Sequence, residues 1–327
     1  MEAAYYEKLD NTAVRCNLCP NFCRIADGKA GVCRIRVNRN GTLVADAYGE
    51  VVSLAVDPVE KKPLYHFYPS KPILSTGVNG CNFKCGFCQN SQISQGVSPT
   101  RYVSPEDLAR LASRDGSIGV AYTYTEPFIW FEYIRDAGRI VRELGLVNVL
   151  VTNGYVNEEP LRELLPIVDA MNVDIKSMKP DFYRKVCGGK LEDVLRTVEI
   201  ASKSCHVEVT NLVITNYNDT EEDFAKLVDW MSSVNPAMPL HFSRYFPQYK
   251  FTEPPTSAGT LRLAYDMAKE KLKYVYVGNI SIEGTNDTKC PSCGNVLVRR
   301  VYYSVSTVGI RGGKCSSCGS AVDFVGV

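Results

Sequence analysis

From residue 73 to about residue 280, short apolar runs rich in valine and isoleucine alternate with stretches whose apolar positions recur every three to four residues. The first kind suits buried strands and the second suits helices with one face on a sheet, so the alternation predicts βα units around a parallel sheet, an α/β fold. Strands are predicted at residues 73–78, 118–124, 147–152, 170–175, 206–214, 240–245 and 274–277. Two of the intervening helices carry clear start signals. Ser104-Pro105-Glu106-Asp107 offers a capping side chain, a proline at the first helical position and acids in the first turn. Thr220-Glu221-Glu222-Asp223 repeats this ahead of Phe224, Leu227, Val228 and Met231, which share one helical face. Six or seven such units, wound right-handed, make a partial or complete (β/α) barrel, with an open doubly wound sheet as the alternative.

The pattern changes on both sides of this region. Residues 34–37 and 42–45 flank Asn40-Gly41, a pair suited to the positive φ angles of a tight hairpin turn, and predict a small β-rich module over residues 1–72. After the barrel, spanning residues 73–280, a polar stretch at 281–287 leads into two cysteine pairs separated by strand-like residues 296–298 and 301–305. Residues 281–327 therefore read as a separate small module that needs a metal to fold.

Composition removes several functional classes. The 327 residues carry 37 Lys and Arg against 36 Asp and Glu, a net charge of +1, so no general attraction to nucleic acid is implied. With 45% hydrophobic and 22% charged residues the chain is of ordinary globular composition. Residues 1–10 lack the apolar core of a signal peptide, and no run approaches the roughly 18 apolar residues of a membrane helix, which predicts a cytoplasmic protein.

The 13 cysteines sharpen the picture, because 11 of them fall into three clusters. Cys16, Cys19, Cys23 and Cys33 form the first, Cys81, Cys85 and Cys88 the second, and Cys290, Cys293, Cys315 and Cys318 the third. In a chain with no secretion signal, cysteines so closely spaced read as metal ligands before disulfides. The second cluster directly follows the first barrel strand, on the face where βα barrels keep their active sites. Three thiolates with no fourth cysteine or histidine nearby in sequence are one short of a 4Fe-4S complement, leaving one iron open to an outside ligand. A structural zinc with a distant fourth ligand, or a cluster completed by Cys187 or Cys205, is the plainer alternative.

The run Cys81-Asn82-Phe83-Lys84-Cys85-Gly86-Phe87-Cys88 resembles the radical S-adenosylmethionine (SAM) superfamily. The resemblance implies a 4Fe-4S cluster whose open iron is chelated by SAM, and reductive cleavage of SAM to a 5′-deoxyadenosyl radical that abstracts hydrogen from a substrate. It implies that Phe87 lies beside the adenine. Thr123-Tyr124-Thr125-Glu126-Pro127 stands where relatives carry Gly-Gly-Glu-Pro, Thr152-Asn153-Gly154 ends the third strand and Asp174-Ile175-Lys176 the fourth; all three resemble SAM-contacting segments of pyruvate formate-lyase type activating enzymes. Closer still, the stretches Cys16 to Cys23 with Gly31-Val32-Cys33-Arg34, Asp57 to Leu64 with His66-Phe67, and Cys88-Gln89-Asn90 resemble the radical SAM enzymes of the AmmeMemoRadiSam system, over roughly residues 14 to 280. By that resemblance the partners are a reductant such as ferredoxin or flavodoxin, the accompanying proteins of that system and an unidentified substrate. A glycyl-radical enzyme activase is the alternative within the class, and a non-catalytic electron carrier or zinc-ribbon binding module the alternative outside it.

The remaining residues are read locally. Cys290-Pro291-Ser292-Cys293-Gly294 and Cys315-Ser316-Ser317-Cys318-Gly319 form paired knuckles of a zinc-ribbon or rubredoxin-like site, with zinc or iron as the ion. The N-terminal four, irregularly spaced, suit zinc or an auxiliary iron-sulfur cluster. Cys187 reads as a buried inert thiol, and His66, His206 and His241 as satisfied structural histidines. Arg244, near the end of the sixth strand, is a candidate to reach a carboxylate of SAM or substrate.

Overall fold

The computed structural model describes residues 1–301 and 304–327, so positions 302 and 303 of the strand expected at 301–305 lie outside the described residues. At its centre is a sheet of eight strands: β1 (Ser53–Pro58), β2 (Pro72–Gly77), β3 (Gly119–Tyr122), β4 (Val147–Thr152), β5 (Ala170–Asp174), β6 (His206–Val213), β7 (Leu240–Arg244) and β8 (Val275–Gly278). Strands β2 to β8 are parallel and each bonds to the next in chain order, while β1 pairs antiparallel with β2. A doubly wound sheet would reverse its order at a switch point, and this one does not. The outermost strands β1 and β8 stay unpaired with each other, so the sheet is open.

The sheet is nevertheless strongly curled. Lys62, ahead of β2, and Asn279, just after β8, line the same cavity, although strands about 4.8 Å apart would separate them by some tens of ångströms if laid flat. All seven strands expected over residues 73–280 are present, with ends within two residues of expectation. Strand β1 is the addition. It ends in Asp57-Pro58, and proline is tolerated there because an edge strand leaves backbone donors unused.

Helices α1 (Pro105–Ala112), α2 (Phe131–Glu143), α3 (Glu158–Leu164), α4 (Leu191–Ala201), α5 (Glu221–Val234) and α6 (Ala258–Lys269) fill the crossovers. The start signals act as read: Ser104 Oγ accepts the Asp107 N–H at 3.1 Å, and Thr220 and Asp223 form a reciprocal capping box at the head of α5. At the opposite end from the cavity, Val59, Leu64 and Phe67 plug the sheet's interior against Ala121, Val149 and Ala170. No helix among the described residues is long and apolar enough to cross a membrane.

Before β1, short strands Tyr6–Lys8, Val14–Cys16 and Arg24–Ile25 form one small sheet and Arg36–Arg39 pairs with Thr42–Ala45. Asn40 and Gly41 turn that hairpin with φ of 53° and 78°. The C-terminal strands Thr288–Lys289, Val296–Val301 and Ser304–Thr307 form an antiparallel sheet. This module rests on the plugged end, where the Phe324 ring stacks 4.1 Å from that of His66 and the Arg300 guanidinium lies 4.2 Å over Tyr65.

Candidate active site

The C-terminal ends of the parallel strands surround a cavity of about 370 Å³ whose wall includes Cys81, Cys85 and Cys88. The loop that carries them is packed too tightly for side chains at several points. Gly80, with φ of 100°, leaves no room for a Cβ against the Cys33 carbonyl oxygen, and a Cβ at Gly86 would strike the Phe251 ring. The Phe83 N–H points at Cys81 Sγ from 3.4 Å. Burial pushes the Cys81 and Cys88 thiols above their ordinary pKa, so a metal loaded here displaces protons. Three cysteines and no histidine line the cavity, a donor set that fits a 4Fe-4S cluster with one open iron. Cys187 is fully buried against Cys85 and outside that lining.

Glu126 organises the next two strand ends. Its Oε1 accepts the Phe128 N–H at 3.0 Å and the Thr152 hydroxyl at 2.7 Å, and Oε2 accepts the Asn153 N–H at 2.8 Å. Burial pushes its carboxyl up to about 7 against the pull of these donors. Asn153 passes the order on, its Nδ2 donating to Asn82 Oδ1 at 2.9 Å and approaching Cys81 Sγ at 3.7 Å. Glu126, Thr152 and Asn153 thus line the cavity with side chains bonded to one another and to Asn82, Phe128, Gly154 and Tyr155. Tyr124 adopts φ of 73°, a left-handed conformation at a place where glycine would be unstrained, at a cost of order 1–3 kcal/mol. Its carbonyl accepts from Asn90 Nδ2 at 2.7 Å, and Thr125 Oγ1 donates to the Val78 carbonyl at 2.7 Å.

Across the cavity, Lys176 Nζ pairs with Asp174 Oδ2 at 3.1 Å and stands 5.7 Å over the Phe87 ring. Burial works against the lysine's charge, but Asp174 and the Cys85 and Cys187 sulfurs outweigh it and hold its pKa above the usual value. Phe87 is 3% exposed, with Phe182 and Phe251 around it and one side on the cavity. Arg244 stands apart from the site: Nε donates to the Thr256 carbonyl at 2.9 Å and the guanidinium covers Phe246, so a local backbone acceptor holds the side chain outside the lining. The neighbouring Ser243 faces the cavity instead. Sequence reasoning passed over Asn82 and Lys62. Asn82 lies inside the cysteine run itself; Lys62 lines the wall with Nζ 2.9 Å from Asp57 Oδ2, which is 3.2 Å from the Tyr124 hydroxyl.

The two other cysteine sets differ. Cys290 and Cys318 bring their sulfurs to 3.7 Å, as do Cys293 and Cys315, with all four within 4.8 Å. Bonds of about 2.3 Å to one tetrahedral ion put sulfurs about 3.8 Å apart, so this is the geometry of a single-ion site. Gly294 and Gly319, with φ of 75° and 76°, turn the chain after each pair. Cys16, Cys19, Cys23 and Cys33 lie behind the cavity loop, where Asn21 Nδ2 donates to the Asn82 carbonyl at 2.9 Å.

Residues 76–231, from β2 to within α5, match the family model described as the radical SAM superfamily. Over 99% of its length the chain is 45% identical to the uncharacterized protein MJ0808 of Methanocaldococcus jannaschii, and it covers 99% of that protein. The chain belongs to the radical SAM superfamily. Membership implies an enzyme with a 4Fe-4S cluster and SAM, and it removes the non-catalytic alternative. Over 46% of its length this radical SAM protein is 24% identical to the pyruvate formate-lyase 1-activating enzyme of Escherichia coli, covering 65% of it. The 4-hydroxyphenylacetate decarboxylase activating enzyme of Clostridium scatologenes is likewise 24% identical over 46% of the chain, which spans half of that relative. Among solved structures, SuiB of Streptococcus suis bound to its precursor peptide SuiA shares the fold, with a TM-score of 0.51 and 13% identity over 68% of this chain and 51% of that one.

Proposed function

We propose that the chain binds a 4Fe-4S cluster at Cys81, Cys85 and Cys88, binds SAM in the adjoining cavity, and abstracts hydrogen from a substrate held at the cavity mouth. One observation carries the reading: three thiols, the Glu126-organised ends of β3 and β4, and the Asp174–Lys176 pair of β5 all face one cavity at the C-terminal end of the sheet. A 4Fe-4S cluster held by Cys81, Cys85 and Cys88 would supply one-electron reductive chemistry toward the sulfonium of bound SAM. The chain's own residues hold and shield. Asp174 and Lys176 offer a carboxylate and a cation to the zwitterionic end or ribose of SAM, Phe87 offers a ring face, and Glu126 fixes the backbone of Thr152 and Asn153. Phe87, Glu126 and Cys85 are buried, which limits water on that wall of the cavity.

Finer assignments follow from the motifs. The stretches 16–34, 57–67 and 88–90 support membership of the AmmeMemoRadiSam group, in a cytoplasmic setting and with ferredoxin or flavodoxin as electron donor. Zinc is the ion for the C-terminal four cysteines, whose 3.7 Å spacing suits it. The similarity to two activating enzymes supports a second reading, in which the hydrogen is taken from a glycine of a partner polypeptide.

The test uses anaerobically reconstituted protein: iron and sulfide content, EPR of the dithionite-reduced sample with and without SAM, and assay of 5′-deoxyadenosine. A SAM-shifted cluster signal with nucleoside formed, both lost in Cys85→Ala, is the expected result. Nucleoside formation retained in Cys85→Ala sinks the assignment. A glycyl EPR signal raised in a co-incubated partner decides for the second reading.

A further inference from the structure

The same molecule offers a calibration of what its cysteine sets hold. At the C-terminal site the sulfurs close to 3.7 Å, the spacing that one tetrahedral ion imposes. Among the described residues that is the set whose sulfurs gather within 4.8 Å, and neither the central three nor the N-terminal four contract that far. A cube of iron and sulfide attaches each thiolate to a different corner iron, so its sulfurs stand farther apart than those around a single ion. The sulfurs of the N-terminal four, like those of the central three, are thus not drawn to single-ion spacing.

They nevertheless lie near one another. Cys16, Cys33 and Cys23 all lie within electrostatic reach of the Cys19 sulfur, and the Val32 N–H points at Cys23 Sγ from 3.4 Å, as the Phe83 N–H does at Cys81. The surroundings suit an anionic four-thiolate group. Arg36, 1% exposed, lies in the field of Cys16 and Cys33; Glu132 and the Ala4 carbonyl occupy its Nη atoms, while its Nε has no hydrogen-bond partner among the described residues. An unpartnered buried donor is costly until it gains an acceptor, and a buried cation here favours an anionic group nearby.

Position then suggests a use. Asn21, between Cys19 and Cys23, donates to the carbonyl of Asn82, the residue after Cys81, and Gly80 packs on the carbonyl of Cys33. On the outer side Cys23 is half-buried and the neighbouring Phe22 is 51% exposed. We propose that Cys16, Cys19, Cys23 and Cys33 hold a second 4Fe-4S cluster, closed by four thiolates, through which electrons pass from the surface to the site at Cys81, Cys85 and Cys88. It takes one electron from an external low-potential carrier of the ferredoxin or flavodoxin class and hands it inward, returning to its oxidised state. The relay half of the inference rests on the function proposed above, whereas the occupancy half does not.

The experiment compares the full chain, a central variant (Cys81→Ala, Cys85→Ala, Cys88→Ala) and an N-terminal variant (Cys19→Ala, Cys23→Ala), each reconstituted anaerobically and assayed for iron, sulfide and zinc, with Mössbauer and EPR spectra. The expected full chain holds about eight irons and eight sulfides, and each variant about four of both. In the central variant the remaining cluster signal ignores SAM; in the N-terminal variant it responds to SAM. About four irons with two zincs in the full chain, and none of the iron left in the central variant, overturns the inference. A SAM-blind cluster in a folded N-terminal variant instead counts against the proposed function and leaves occupancy standing. If that variant does not fold, the metal stoichiometry and Mössbauer spectrum of the full chain decide alone. For the relay, reduction by flavodoxin is lost in the N-terminal variant while reduction by dithionite persists; equal flavodoxin reduction overturns it.

Discussion

Glu126 Oε2 accepts the backbone N–H of Asn153 at 2.8 Å, coupling the turn after β3 to the end of β4. Through Asn153 the coupling extends to Asn82 and the Cys81 sulfur. In Glu126→Ala the Asn153 amide and Thr152 hydroxyl lose a buried acceptor, each at about 1–3 kcal/mol. SAM affinity, read by calorimetry on the cluster-loaded protein, should fall strongly, with a lowered denaturation midpoint. Unchanged affinity in the variant would mean that the order of this wall is irrelevant to the cofactor.

Cys187 sits behind Cys85, fully buried, with its carbonyl accepting the Lys84 N–H at 2.7 Å. Because its sulfur is outside the cavity lining, it acts as packing under the cluster loop. Cys187→Ala should keep the iron and sulfide content of the wild type and its SAM-dependent EPR shift, at a stability cost on the order of 1 kcal/mol for the lost volume. Loss of four irons in that variant would instead make Cys187 a ligand.

These residues show where sequence reasoning succeeds and where it stops. The βα alternation announces every parallel strand because buried parallel strands are continuous apolar runs, and Ser104 and Thr220 mark helix starts because their hydroxyls have local partners. Cysteine spacing likewise brings Cys81, Cys85 and Cys88 to one wall. What escapes is long-range. Strand β1 carries Asp57 and Pro58 and is defined only by pairing with β2, and Lys62 reaches the cavity only because the sheet curls. Arg244 sits at the expected strand end, yet the Thr256 carbonyl, twelve residues on, takes its guanidinium away.

Arg36 and Glu132 form a pair that no local pattern reveals, at 2.9 and 3.1 Å with side chains 1% and 2% exposed. It joins the N-terminal hairpin to the start of α2 beside the Cys16 and Cys33 sulfurs. Removing one partner strands a buried charge, so Glu132→Ala should cost about 3–5 kcal/mol in urea denaturation. Replacing both with apolar residues of similar size should recover much of that loss, since desolvation of the pair is relieved together. A double variant as unstable as the single one would show that the ions contribute more than mutual neutralisation.

His66 supplies the pH test. Its Nδ1 lies 2.6 Å from the Asp323 carbonyl and its Nε2 2.6 Å from the Tyr276 hydroxyl, so Nδ1 carries the proton and Nε2 accepts. Burial pushes its pKa down to about 3 from the ordinary 6.5. Between those values the unfolded chain binds a proton that the folded chain refuses, so stability is present above the higher value and falls as pH drops below it. The slope from this residue approaches about 1.4 kcal/mol per pH unit. Glu208 is held below its usual range by His206 and His241 despite the opposing effect of burial, so its own loss begins at more acid pH. Urea midpoints measured from about pH 7.5 to pH 5, with the bound metal assayed at each point, should therefore fall more steeply for the wild type than for His66→Gln. A glutamine side chain has no proton to take up in this range, so equal slopes would remove His66 as a source of the acid sensitivity. A difference confined to His66 would show that the contact between the C-terminal module and the sheet depends on a neutral imidazole.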